Sequence, residues 1–237
     1  MDKVNIKKYQ NLKIATLNIQ ALKNKTILLE QIMHENNLDI LCITETFLTP
    51  QILSYNFLNY TLHRNDRLYK KGGGVAVLIR KTLKYRTLEF NIPANSLEFI
   101  GLSVQHEYTP TFNILCVYRP PCYLKHTVNN DLNDLHEIID LLKPNNTNIL
   151  LGDFNLRTVK TVQQLNNILS MMNYFQMVDM PTRNDSILDL IITNNVAAIT
   201  NIHTVNTLIS DHLMVACTYS ICKTKVEPRF KFVRNYN

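Results

Sequence analysis

Asn148-Ile149-Leu150-Leu151-Gly152-Asp153-Phe154-Asn155 decides how the chain folds. Three apolar residues followed by glycine, a carboxylate and an amide describe a buried strand whose carboxyl end pushes Asp153 and Asn155 outward. Open α/β sheets keep their sites at that end. Residues two apart on an extended chain point the same way, so the Asp153 carboxylate and the Asn155 amide would face one ligand together. A strong acceptor beside a neutral donor suits a water nucleophile attacking an anion. The competing reading is a strand running into an Asx turn, with both side chains merely capping backbone.

Upstream of this strand, Leu132, Leu135, Ile138, Ile139 and Leu142 predict an amphipathic helix from Asp131 that Pro144 terminates. Downstream, Val162, Leu165, Ile168, Leu169 and Met172 repeat that spacing and predict a second. The chain opens with a strand over Lys13 to Ile19, a helix over Lys25 to Asn36 and a strand over Asp39 to Thr44, with Asn18 and Glu45 at the carboxyl ends of the two strands. Tyr60 to His63 and Val75 to Ile79 are interrupted by Arg64-Asn65-Asp66-Arg67 and Lys70-Lys71-Gly72-Gly73-Gly74. Consecutive glycines before an apolar strand mean a backbone that bends sharply or admits a close approach. Leu83 to Phe90, Leu97 to Gln105 and Thr111 to Tyr118 follow as an antiparallel run, stopped by Arg119-Pro120-Pro121. Ile187 to Thr193, Ile199 to Thr204 and Leu213 to Tyr219 are the last strands. The two helix-bearing halves point to two sheets packed face to face with helices outside.

Composition bounds the function. With 237 residues, 46% hydrophobic and 19% charged, the chain can bury a large core, and one domain over 13–221 is expected, with an extension over 1–12 and a basic tail over 222–237. No apolar run approaches the ~20 residues of a membrane helix, and the first ten residues are too polar for a signal peptide, so no membrane partner is expected and the protein should be intracellular. The five cysteines form no CxxC pair, which predicts core thiols rather than a disulfide framework. A net charge of +6 permits a polyanionic partner.

Asn18, Glu45, Tyr118, Asp153, Asn155, Asp189 and Asp211-His212 all lie at or beside ends of predicted strands, and their chemistry is complementary. Glu45 is a hard oxygen ligand fit for Mg²⁺, unless it is merely a solvated acid between two threonines. His212 adjoins Asp211 ahead of an apolar strand, a position that could present an imidazole to a phosphate. Asp189 sits among Leu188, Leu190 and Ile191, where an unpaired carboxylate would be costly, so it needs a partner, and His212 is the candidate.

Taken in order, Thr16-Leu17-Asn18-Ile19-Gln20, Ile43-Thr44-Glu45-Thr46, Val117-Tyr118-Arg119-Pro120-Pro121, Leu151-Gly152-Asp153-Phe154-Asn155, Ser186-Ile187-Leu188-Asp189 and Ser210-Asp211-His212 resemble the successive motifs of the endonuclease/exonuclease/phosphatase superfamily. His63-Arg64-Asn65-Asp66-Arg67, the Tyr-Arg-Pro-Pro segment and Thr182 to Thr193 are most similar to the apurinic-endonuclease-like domain of non-LTR (LINE-type) retrotransposons. The resemblance implies a four-layer α/β sandwich, two packed mixed β-sheets flanked by helices. It implies a Mg²⁺-dependent enzyme, Mn²⁺ substituting, that nicks double-stranded DNA and leaves a 3′-hydroxyl for target-primed reverse transcription in the nucleus after cytoplasmic synthesis. Element RNA and a reverse transcriptase in a longer polyprotein are the further partners it implies, and the basic tail resembles the start of a connection to one.

Carried over residue by residue, Glu45 resembles the main metal ligand, with Asn18 and Asp211 close to the metal. Asp153 resembles the residue that orients or deprotonates the water, with Asn155 as its neighbour. Tyr118 and His212 resemble phosphate contacts, with Asp189 orienting His212. DNA would run over Arg64, Arg67, Lys70, Lys71 and Arg119, with Thr182, Arg183 and Ser210 beside the cut. Two departures stand out: there is no Trp, and Gln20 replaces an acid often found near the metal in repair-type relatives. Between Thr182 and Asp189 the chain is too short for a protruding two-stranded ribbon. The rival readings are a phosphatase of the same superfamily acting on an inositol phosphate or phospholipid headgroup, and a non-catalytic remnant that only binds nucleic acid.

Overall fold

The computed structural model describes residues 11–51, 55–68, 70–92, 97–105, 110–121 and 125–221, with 125–128 in backbone only. Most of the expected extension, the basic tail, Cys122 and Cys222 lie outside these. Cys42, Cys116 and Cys217 are buried free thiols, as the cysteine spacing predicts.

The first sheet has the order β11 (Ile199–Val205), β12 (Met214–Tyr219), β1 (Leu12–Asn18), β2 (Ile40–Thr44), β4 (Val75–Arg80), β3 (Tyr60–Asn65). The second runs β5 (Lys84–Leu88), β6 (Glu98–Gln105), β7 (Phe112–Tyr118), β8 (Thr147–Asp153), β10 (Asp189–Thr193), β9 (Phe175–Gln176). Among the described strands, only β1–β2 and β7–β8 pair in parallel. A parallel pair needs a crossover, here supplied by α1 (Thr26–Glu35) and α2 (Lys125–Asp140), while α3 (Val159–Met171) follows β8. Two corrections emerge. The helix expected from Asp131 begins at Lys125, because its first turns are polar and carry no apolar period, and the two-residue β9 is too short to leave a pattern.

The central strands are buried on both faces, which explains their unbroken apolar runs. Ile14, Cys42, Ile114, Cys116, Ile149 and Leu151 point into the core between the sheets. Their neighbours Ala15, Leu17, Leu41 and Ile43 meet Leu29, Ile32 and Met33 of α1, while Leu115, Val117 and Leu150 meet Leu132 and Leu135 of α2 and Leu165 and Leu169 of α3. Each such leucine or isoleucine contributes about 1.5–3 kcal/mol by leaving water. The layer order is helix, sheet, sheet, helices, the expected four-layer sandwich.

Across the core β1 faces β8 and β2 faces β7. Asn18 and Thr44 are in register at the ends of one parallel pair, Tyr118 and Asp153 at the ends of the other. β10, antiparallel to β8, starts with Asp189 opposite Asp153. The carboxyl ends of all four parallel strands therefore open onto one surface.

Candidate active site

Asp153 closes β8 and is buried. Its Oδ2 accepts from Asn18 Nδ2 at 2.9 Å and from Asn155 Nδ2 at 2.9 Å, and its Oδ1 from the Asn155 backbone N at 3.0 Å. Asn155, at φ 48°, is held by its own bond to the Arg119 carbonyl at 3.0 Å. The two side chains are bonded to each other, and the Asx-type backbone bond of the competing reading is present as well. Burial pushes the Asp153 carboxyl up to about 7, and the Asp189 carboxylate acts the same way, against His212, Asn18 and Asn155.

His212 Nδ1 lies 2.7 Å from Asp189 Oδ2, both residues being buried, so the partner that a carboxylate in this apolar strand required is the predicted one. Burial works to lower the imidazole, yet the bond and charge of Asp189, with the Asp153 carboxylate behind it, raise it above its ordinary value despite Arg183. Among the described residues, His212 Nε2 and Asp189 Oδ1 have no hydrogen-bond partner. Ser210 positions this loop: its Oγ donates to the Asn18 carbonyl at 2.6 Å and accepts from the His212 N at 3.2 Å.

Across the mouth, Tyr118 donates its O–H to Glu45 Oε1 at 2.8 Å. Burial, then the Glu45 carboxylate, hold that phenol far above its usual range, so it stays a donor. Glu45 sits at φ 53°, just past the end of β2. Non-glycine residues in that region mark functional sites more often than chance.

Asp153, Asp189 and His212 offer ligand atoms all within 4.8 Å of one another, close enough to hold a metal ion. Asp153 already accepts three N–H groups there, and Asp189 Oδ2 is bonded to His212 Nδ1, which leaves Asp189 Oδ1 and His212 Nε2 without a hydrogen bond among the described residues. The Glu45 carboxylate, which accepts from Tyr118, and the Asn18 amide oxygen, which accepts from the Gln20 N at 3.2 Å, stand at the ends of adjacent strands and offer the all-oxygen donors that suit a Mg²⁺-like ion. Asp211, expected close to the metal, is 48% exposed at its side chain and tied by both oxygens, to Gln20 Nε2 and Arg183 Nη2, each at 2.5 Å. It would have to give up one of these to meet a cation.

Two residues expected on the DNA surface are not there. Arg119 is 2% exposed, ion-paired with buried Asp131 on α2 at 2.8 Å, and its Nη1 donates to the carbonyls of Phe154 at 3.5 Å and Asn155 at 3.2 Å. It braces the turn that carries Asp153 and Asn155. Thr182 is fully buried, its Oγ1 accepting from the backbone N of Leu188 and Asp189. It fixes the start of β10. The turn between them is closed by a single bridge from Arg183 to Ser186, so no ribbon protrudes.

Lys70 and Lys71 are exposed, as expected of a rim, and Arg64 pairs with Asp66 at 3.5 Å. Arg67 pairs with Glu98, whose other oxygen accepts from the Gly74 N at 2.6 Å, and its guanidinium lies 5.7 Å from the centre of the Tyr118 ring. Sequence reasoning missed Glu98 and Asp131. Glu98 comes beside the site only because it pairs with Tyr118 across β6 and β7, and Asp131 only because α2 packs behind Arg119. Neither leaves a local signal.

Among solved structures, the endonuclease domain of TRAS1, a telomere-specific non-LTR retrotransposon, matches with a TM-score of 0.73 and 14% identity over 90% of this chain and 99% of its own. The 3′ phosphatase NExo from Neisseria, bound to product DNA hairpin, matches with a TM-score of 0.69 and 16% identity over 88% and 99%. An AP endonuclease from Archaeoglobus fulgidus gives 0.67 and 14% over 89% and 100%. At such identities the likeness establishes the fold. No curated relative matches the sequence. The model of the endonuclease/exonuclease/phosphatase family, whose members are divalent-metal-dependent hydrolases, nucleases and phosphodiesterases among them, matches residues 15–212. With that match across most of its length and the site motifs gathered at one sheet end, the chain belongs to the endonuclease/exonuclease/phosphatase family.

Proposed function

We propose that the protein is a Mg²⁺-dependent endonuclease that nicks one strand of duplex DNA by phosphodiester hydrolysis and leaves a 3′-hydroxyl. The observation that carries this reading is the buried Asp153 carboxylate, held by Asn18 and Asn155 beside the Asp189–His212 couple. Glu45 and Asn18 would hold a divalent cation, and that ion would supply charge neutralisation at the phosphate oxygens. Asp153 takes the proton of the attacking water: a carboxyl near neutrality balances base strength against the ionised fraction. Its amide donors fix the plane of the carboxylate. His212, whose charged form Asp189 favours against burial, donates from Nε2 to the phosphate as negative charge builds there. Tyr118 holds Glu45 in place, and a contact of its own with phosphate would require its O–H to leave Glu45.

DNA as substrate is supported by the exposed cations Lys70 and Lys71 beside the site and by the fold shared with the TRAS1 endonuclease domain and the DNA-bound Neisseria phosphatase. Priming of a reverse transcriptase on element RNA, and action in the nucleus, belong to the same proposal. The test is conversion of supercoiled plasmid to open circle with Mg²⁺, its arrest by EDTA, and extension of the nick by a polymerase. Hydrolysis of inositol phosphates without nicking would give the protein to the phosphatase branch instead.

A further inference from the structure

Phe47 follows Glu45 by two residues and is turned outward: Thr46 and Leu48 on either side are buried, while Phe47 is 42% exposed. Isolated surface apolar residues are ordinary. This one is built into place. Its φ of 54° is an outlier for an aromatic residue, and its backbone N donates to the Gly73 carbonyl at 2.8 Å, as that of Thr46 does to Gly74 at 3.1 Å. All three glycines have positive φ. A Cβ on Gly74 would stand 2.4 Å from Thr46 Oγ1 and one on Gly73 2.2 Å from the Arg67 guanidinium carbon. A Cβ on Gly72 would stand 3.5 Å from the Phe47 ring and 3.8 Å from Arg67 Nη1. The triplet therefore lies against both the ring and Arg67, and Arg67 covers Tyr118, whose hydroxyl holds Glu45. Exposed Lys70 and Lys71 complete the ledge.

Resting on the endonuclease reading, we propose that Phe47 is a stacking platform for a nucleobase of the DNA strand beside the scissile phosphate. Every base has a π face once it is unstacked from its neighbours, so an aromatic ring near a phosphodiester site, with cations for the backbone, can take a base displaced from the duplex without reading sequence. A phosphate ester without a base would leave the ring unused.

The test removes ring and base separately. A tetrahydrofuran abasic analogue is walked through a short duplex, and wild type, Phe47→Ala and Phe47→Trp are compared by equilibrium binding in EDTA and by nicking in Mg²⁺, after melting curves show equal folding. Stacking of one base predicts a loss of about 10-fold or more in affinity and in kcat/KM for Phe47→Ala on the intact duplex. At one abasic position wild type and Phe47→Ala should become equal, and Phe47→Trp should keep wild-type behaviour. Equal losses at every position, no loss in Phe47→Ala, or no binding of the duplex at all would overturn the platform. Base-dependent binding through Phe47 without nicking would leave the platform standing and remove the endonuclease reading.

Discussion

The floor of the site and its rim treat charge in opposite ways. On the floor Asp153, Asp189, His212, Arg119 and Asp131 are all buried, and each is committed to particular partners. On the rim Lys70 and Lys71 stand in water. A charge out of water is expensive unless bonded, so the floor groups are held by their partners, and burial and neighbouring charge shift Asp153 and His212 from their ordinary values. A charge in water is cheap and can be handed to a phosphate. The two arginines show the contrast most directly, Arg119 being locked on Asp131 inside the fold while Arg67 lies half-buried between Glu98 and the Tyr118 ring.

The largest effects should come from the floor. Asp153→Asn should lower kcat for plasmid nicking by about 10²- to 10⁴-fold, the range of a missing general base, while circular dichroism and melting show an intact fold. Undiminished nicking would break the distinction between floor and rim at its centre.

Arg119→Met or Asp131→Asn should each destabilise by about 3–5 kcal/mol in urea unfolding, since one buried charge is stranded. The double variant Arg119→Met/Asp131→Leu should recover much of that loss. If either single variant instead weakens DNA binding without touching stability, Arg119 belongs to the rim.

The floor should also make stability pH-dependent. The folded protein holds a proton on Asp153 up to about 7, far above the usual carboxylate value, so without metal this group favours the fold at low pH and the benefit is lost as pH rises from about 4 to about 7. His212, raised above its ordinary value, acts in the same direction: its contribution is full below the unfolded imidazole value and disappears as pH climbs through the folded one. Melting in EDTA should therefore show a midpoint that falls across this window, and Asp153→Asn should flatten the fall. A midpoint that rises with pH in wild type would contradict the burial argument.

The smallest effects belong to the rim. Lys70→Ala and Lys71→Ala should leave melting unchanged, weaken duplex binding modestly, and each reduce the slope of log affinity against log salt by about 0.9 if it touches one phosphate. An unchanged slope in both would remove these lysines from the DNA track.

The sequence by itself determined where strands end. Runs such as Asn148 to Leu151 and Ile40 to Thr44 can only be buried strands, and a polar residue that follows such a run must emerge at its end, which is why Asn18, Glu45, Tyr118 and Asp153 were legible. Even the Asp189–His212 pair was legible, since a carboxylate within an apolar strand demands a partner. The tertiary structure alone decided which polar residues beside those ends face water. Arg119 and Thr182 sit in polar stretches that look solvated, yet α2 brings Asp131 to Arg119, and the turn before β10 folds Thr182 under its own backbone. Strand ends are set by local apolar pattern, whereas the burial of an arginine depends on a carboxylate that another element must deliver, and no local pattern records that delivery.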